Sequence, residues 1–176
     1  MKPTRLISPP GTYFLTSSTW QRRELFVVEN YARLFLKTLY HYRREGRYTL
    51  HAFVLMSDHV HLLLTSAQDV TIERAVQLIK GGYSHALGTI RGRSAEVWQR
   101  GFTDHRIRDA NDFAHHRNYI HQNPVAARLV SHPSQYRYCS AFPGFKLDLW
   151  PPEAEAAVLG DVSTGTSRTR TLPGSR

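Results

Sequence analysis

Cysteine and acidic residues are scarce in this chain, and long apolar runs are absent. One cysteine, Cys139, stands among 176 residues. An internal disulfide and a cysteine-based zinc cluster are therefore excluded, and the usage fits a reducing compartment. No apolar run approaches the roughly 18 residues a membrane-crossing helix needs. The opening MKPTRLISPP carries no secretory apolar stretch. We therefore expect a soluble, cytoplasmic protein with no membrane partner. Acidic side chains number 14 against 23 basic ones, leaving a net charge of +9. Of those 23, 19 are arginine.

What is present is a globular composition, 41% apolar and 21% charged. Residues 151–176 differ from the rest. They hold Glu153, Glu155 and Asp161 against Arg168, Arg170 and Arg176, with Pro, Gly, Ser and Thr and almost no large apolar groups. We expect a disordered tail there and one domain over 1–150, which then carries the whole net charge of +9. Arginine pairs with phosphate through a planar fork, and aromatic rings stack on unpaired bases. A basic body with 9 Tyr, 8 Phe and 3 Trp therefore suits a nucleic-acid partner, although an acidic protein would also suit the charge.

Residues 12–18 read as a strand after the breaker Pro9-Pro10-Gly11. The spacing of Ala32, Phe35, Leu36 and Leu39 predicts a helix over 29–45, stopped at Gly46. Strands over 48–56 and 59–65 meet at Ser57-Asp58 as a hairpin. A helix over 71–87 is weakened by Gly81-Gly82. A strand over 96–108 is broken near Gly101, and a helix over 111–123 is ended by Pro124. A short segment and an extended stretch through Phe145 follow. The order implies α+β: an antiparallel sheet with helices on one face, of the ferredoxin-like or RNA-recognition (RRM-like) kind.

Side chains on a strand alternate faces, so His59, His61 and Leu63 share one side and Val60, Leu62 and Leu64 the other. The two imidazoles, about 6.6 Å apart along the backbone, can grip one cation between them. Ten histidines produce such a pair by chance often enough that, on spacing alone, two polar residues on a wet strand face are the ordinary explanation. On the last helix Tyr119 and Asn123 stack on one face, with His115 a turn earlier and Gln122 beside them. A half-buried tyrosine and a residue placed before proline are the ordinary explanations for these two.

Taken together, HAFVLMSDHVHLLL, VWQRGFTDHRIRD and NYIHQNPVAARLV resemble the single-tyrosine HUH (His–hydrophobic–His) transposases, and among them the bacterial REP-associated tyrosine transposases. The likeness runs from about Gly11 to Phe145. It implies an HUH nuclease fold, with His59 and His61 as metal ligands, Tyr119 as nucleophile and Asn123 as the third ligand. Insertion-sequence relatives commonly carry Gln at that last place, which makes Gln122 the substitute. The resemblance further implies Mg²⁺ or Mn²⁺, and cleavage of single-stranded DNA beside a hairpin-forming REP palindrome through a 5′-phosphotyrosine. Flanking Arg22, Arg23, Arg100, Arg106 and Arg108, with Trp20 and Trp98, are the expected DNA contacts. His115, four residues before Tyr119, is the better placed of two histidines as a general base. Two rivals stand beside this reading: a non-catalytic RRM-like module that only holds single strands, and a hydrolase in which water attacks. Monomer and dimer are both open.

Overall fold

Period-two alternation in TYFLTSS and HVHLLLTS gives each of two central strands an apolar stripe on one side (Tyr13 and Leu15; Val60, Leu62 and Leu64) and a single apolar group on the other (Phe14; Leu63). The strands are β1 (Thr12–Ser18), β2 (Tyr48–Leu55), β3 (His59–Ser66) and β4 (Thr103–Arg106). The computed structural model describes residues 8–150, so the expected tail lies outside the described residues. The strands pair antiparallel in the order β2-β3-β1-β4. Helix α1 (Glu29–Arg44) links β1 to β2, α2 (Ile72–Arg91) links β3 to β4, and α3 (Ala110–Ala126) follows β4. This is the ferredoxin-like β-α-β-β-α-β order with one more helix.

The expectation of helices on one face is corrected. Helices α1 and α2 cover one side through Phe35, Leu39, Ile72, Val76, Ile79 and Tyr83, which pack on Tyr13, Leu15, Phe53, Leu62 and Leu64. Helix α3 covers the other, where Phe113 and Ile120 meet Ala52, Val54 and Leu63. An irregularity between Leu50 and Ala52 resets the alternation of β2, so that Leu50 and Phe53 reach the first core and Ala52 and Val54 the second. The first-core apolar groups are numerous and large. The second core is small, and so is the apolar stripe of α3, which buries only Phe113, Ile120 and Pro124.

Three element boundaries also shift. Pro124 lies inside α3, which continues to Ala126. Proline removes one backbone donor within the last turn, where Ala127 N–H still reaches Asn123 O at 3.0 Å and Leu129 N–H reaches Pro124 O at 3.0 Å. Strand β4 spans only Thr103–Arg106. Before it, Gly101 turns with φ +73°, and Val97–Gln99 pair with the end of β1 (Gln99 N–H to Ser18 O 2.9 Å, Trp20 N–H to Val97 O 2.9 Å). Helix α2 runs on to Arg91, past its glycine pair, and ends at Gly92 with φ +66°. Gly82 is the place where the Tyr42 ring crosses; a Cβ there would lie 2.7 Å from Tyr42 Oη. The stretch after α3 forms a short 3₁₀ turn, Pro133–Gln135, and then touches the outer edge of β2, with Leu55 N–H to Tyr138 O at 2.9 Å and Ser140 N–H to Phe53 O at 2.8 Å.

Candidate active site

Strand β3 places His59 and His61 on the α3 side, with ring centroids 4.8 Å apart. The parity rule brought them there: Val60, Leu62 and Leu64 fill the opposite core. His61 is buried. Its Nδ1 lies 2.8 Å from Thr16 Oγ1 on the neighbouring strand, while its Nε2 is buried without a partner. Burial, reinforced by His59 and Arg22, lowers its pKa to about 3, so the ring is neutral at ordinary pH. A neutral imidazole with a fixed Nδ1 and an unmatched inner nitrogen is the state a metal ligand needs.

His59 is held from its other side. Its Nδ1 is 2.6 Å from Asp58 Oδ1, and Asp58 Oδ2 is 2.8 Å from Arg22 Nε. Arg22 also donates to Ser18 Oγ at 2.8 Å. The carboxylate can only accept, so Nδ1–H is the donor and Nε2 is the nitrogen left for an ion. Neither Asp58 nor Thr16 was found from the sequence. Asp58 adjoins the pair and was legible in principle, whereas Thr16 is brought by strand pairing (Thr16 opposite His61).

Helix α3 brings Tyr119 over this pair. Its ring lies 5.4 Å from that of His61 and, edge-on, 5.7 Å from Phe14. It is 48% exposed, open to a large substrate. Asn123, one turn on, is half-buried, and Gln122 is exposed. His115 is exposed. The histidine of this helix that faces the sheet is His116, whose ring packs 4.9 Å from Phe14. His121 turns to the C-terminal segment, 3.1 Å from Ser140 Oγ.

The five arginines do not form one patch with equal roles. Arg22 is tied into the histidine site, and Arg23 donates to the carbonyls of Trp20 and Glu96. Arg100 and Arg106 are exposed, the latter reaching Pro10 O at 3.4 Å. Arg108 lies 3.6 Å from Asp112. Trp98 does not belong with them. Its ring packs among Phe26, Phe35 and Tyr83 at 5.6–5.9 Å, and its Nε1–H donates to Lys80 O at 3.1 Å.

Residues 12–123 match the family model described as "Transposase IS200 like". A REP-associated tyrosine transposase of Escherichia coli K12 is 27% identical over 156 residues, covering 88% of this chain and 90% of the relative. A Haemophilus influenzae relative is 26% identical over 169 residues, 86% of this chain and 94% of its own length. Among solved structures, a REP-associated tyrosine transposase bound to a REP hairpin superposes with a TM-score of 0.67 at 24% identity, covering 86% of this chain and 92% of that one. At that identity the superposition speaks for the fold.

Proposed function

The chain belongs to the IS200-like transposase family, and from that membership we propose that it nicks and rejoins single-stranded DNA beside REP-like hairpins through a covalent bond to Tyr119. The observation that carries this reading is the pairing of His61, whose inner nitrogen is buried and unpartnered, with a half-exposed Tyr119 ring 5.4 Å away. The names of the relatives, and the hairpin in the matched structure, supply the substrate class.

In this reading His59 and His61, through their Nε2 atoms, and the amide oxygen of Asn123, with Gln122 as its substitute, would hold a divalent ion, Mg²⁺ or Mn²⁺. Two imidazoles and a carboxamide suit Mn²⁺ better than Mg²⁺, which accepts nitrogen less readily, and the buried, unpartnered His61 Nε2 is a donor of the right kind. When bound, the ion draws charge from a non-bridging phosphate oxygen and favours departure of the 3′-oxygen. The chain supplies the rest. Tyr119 Oη gives its proton to water and attacks phosphorus, and the departing 3′-oxygen takes a proton from water. The bond to the 3′-oxygen breaks, giving a 5′-phosphotyrosine and a 3′-hydroxyl. A 3′-hydroxyl attacks that phosphotyrosine in the reverse step and releases the phenol, so the ester is conserved for rejoining. Phe14 holds the Tyr119 ring edge-on, and the Arg22–Asp58 pair fixes the orientation of His59.

Tyr119→Phe tests the proposal. With a hairpin carrying a single-stranded flank and Mn²⁺, the wild type leaves a protein-linked DNA fragment on a denaturing gel. The variant keeps the ring and its contact with Phe14, so it should bind the hairpin with near-unchanged affinity and leave none. Nicking by the variant with a free 5′-phosphate would make water the nucleophile. Binding without nicking by the wild type would favour a module that only holds DNA.

A further inference from the structure

Among the described residues a second group collects three metal-capable side chains, His105 on β4 with Asp112 and His116 on α3, one ligand atom of each lying within 4.8 Å of the others. His105 Nε2 lies 2.9 Å from Asp112 Oδ2, and His116 Nδ1 lies 3.1 Å from Asp112 Oδ1. The two imidazoles stack with centroids 4.5 Å apart and planes 19° apart. We propose that His105, Asp112 and His116 form a second metal site, which takes zinc or a similar transition ion and staples the first turns of the tyrosine helix to the edge strand.

Spacing argues for this. Tetrahedral ligands about 2.1 Å from zinc lie about 3.4 Å from one another. Measured from one carboxylate oxygen, Asp112 Oδ1, the ring nitrogens of His105 and His116 lie 3.2 and 3.1 Å away, so both pairs need to open by only a few tenths of an ångström, and the ligand atoms of the two histidines lie within 4.8 Å of each other. Donor chemistry argues for the ion class. Two imidazoles and one carboxylate suit zinc, cobalt or nickel, whereas magnesium and calcium prefer sets made of oxygen. The Asp112 carboxylate lies between the two rings and also accepts from the Arg108 N–H at 3.1 Å. Binding requires each ring to carry its proton on the nitrogen facing away from Asp112. Side-chain exposures of 38% and 17% leave both histidines a route to water for that exchange.

The group is separate from the His59–His61 pair. The Phe14 ring stands between them, 5.4 Å from His61 on one side and 4.9 Å from His116 on the other. An ion here would act by position: His116 precedes Tyr119 by less than one turn, and among the described residues β4 is the edge strand, paired with β1. The fourth coordination place is left to water.

The test uses the full chain carrying His59→Ala and His61→Ala, which silences the other pair. Equilibrium dialysis against Zn²⁺ should leave about one ion per chain, Co²⁺ should give the visible bands of a tetrahedral nitrogen–oxygen field, and Zn²⁺ should raise the melting temperature. Adding His105→Gln, whose amide can still donate to Asp112, should abolish all three without changing the metal-free melting curve. Should the double variant misfold, the comparison moves to the wild type, where His105→Gln should remove one of about two bound zinc ions. Retention of the same zinc after His105→Gln, or none in a folded double variant, overturns the proposal and leaves a knot of hydrogen bonds. None of these readouts depends on DNA cleavage, so failure of this site and failure of the Tyr119 mechanism are distinguishable.

Discussion

Asp58 accepts from His59 on one side and from Arg22 on the other, and so does for His59 what Thr16 does for His61. Groups that grip the far nitrogen of a metal-ligating histidine set its tautomer and angle, and their loss commonly costs about 10–100-fold in metal affinity. Asp58→Asn should therefore raise the Mn²⁺ concentration needed for half-maximal cleavage by about that factor while leaving hairpin binding intact; a metal titration of nicking checks it. A second residue makes the stability of the fold depend on pH. Burial lowers the pKa of His51, whose nitrogens are bonded to Asp148 O at 2.9 Å and Thr65 Oγ1 at 2.8 Å. Its folded pKa lies below the unfolded value near 6.5, so the stability it contributes is present above that pH and is lost as pH falls below it, by at most about 1.4 kcal/mol per pH unit. Melting temperatures between pH 7 and 5 should fall, and His51→Gln should flatten the fall. The facing of His59 and His61 was legible because strand parity is a local rule. Thr16 and His105 were not, because only pairing across strands gives them their partners.

Elements whose pattern is written in consecutive residues could be read directly. The helix over 29–45 and the hairpin around Ser57-Asp58 fall within a residue of their expected ends, since each carries its own stripe and stop. Helix α3 was harder. Its apolar stripe is narrow, so its side of the sheet could not be inferred, and Pro124 looked like a terminator when it costs one hydrogen bond near an end that was already close. The glycine pair of α2 was legible as a weakness but not as a contact. Gly81 has no neighbour within 4 Å of where a Cβ would sit, whereas Gly82 faces the Tyr42 ring. Gly81→Ala should accordingly stabilise by about 0.5–1 kcal/mol through helix propensity. Gly82→Ala should lose that gain to the clash, and paired thermal melts would show the contrast. On α3, Ile120 is fully buried in the small second core. Ile120→Ala should cost about 2–5 kcal/mol in denaturant unfolding and loosen the helix that positions Tyr119.

At the scale of the whole molecule, charge and packing separate. The basic excess was legible from composition, but its use was not: Arg22 and Arg23 are engaged within the protein, which leaves Arg100 and Arg106 as the freer of the five arginines to meet phosphate. Each lost phosphate contact should reduce the slope of log affinity against log salt by about 0.7 on single strands and about 0.9 on duplex. Arg100→Ala should therefore flatten the salt dependence of hairpin binding by one such step without altering cleavage of bound DNA. Residues 151–176 sum to zero charge, so their removal should leave that slope unchanged. The boundary of the cut matters more than its length. Trp150 stacks on Phe113 at 4.4 Å and donates to Thr12 Oγ1 at 2.7 Å, tying the start of α3 to β1. A chain ending at Trp150 should melt with the full chain, and one ending at Leu149 should melt several degrees lower, since about 1 kcal/mol moves a midpoint by roughly 2–8 °C in domains of this range of sizes. Equal melting of the two truncations would mean that the tryptophan contributes nothing to holding the tyrosine helix against the sheet.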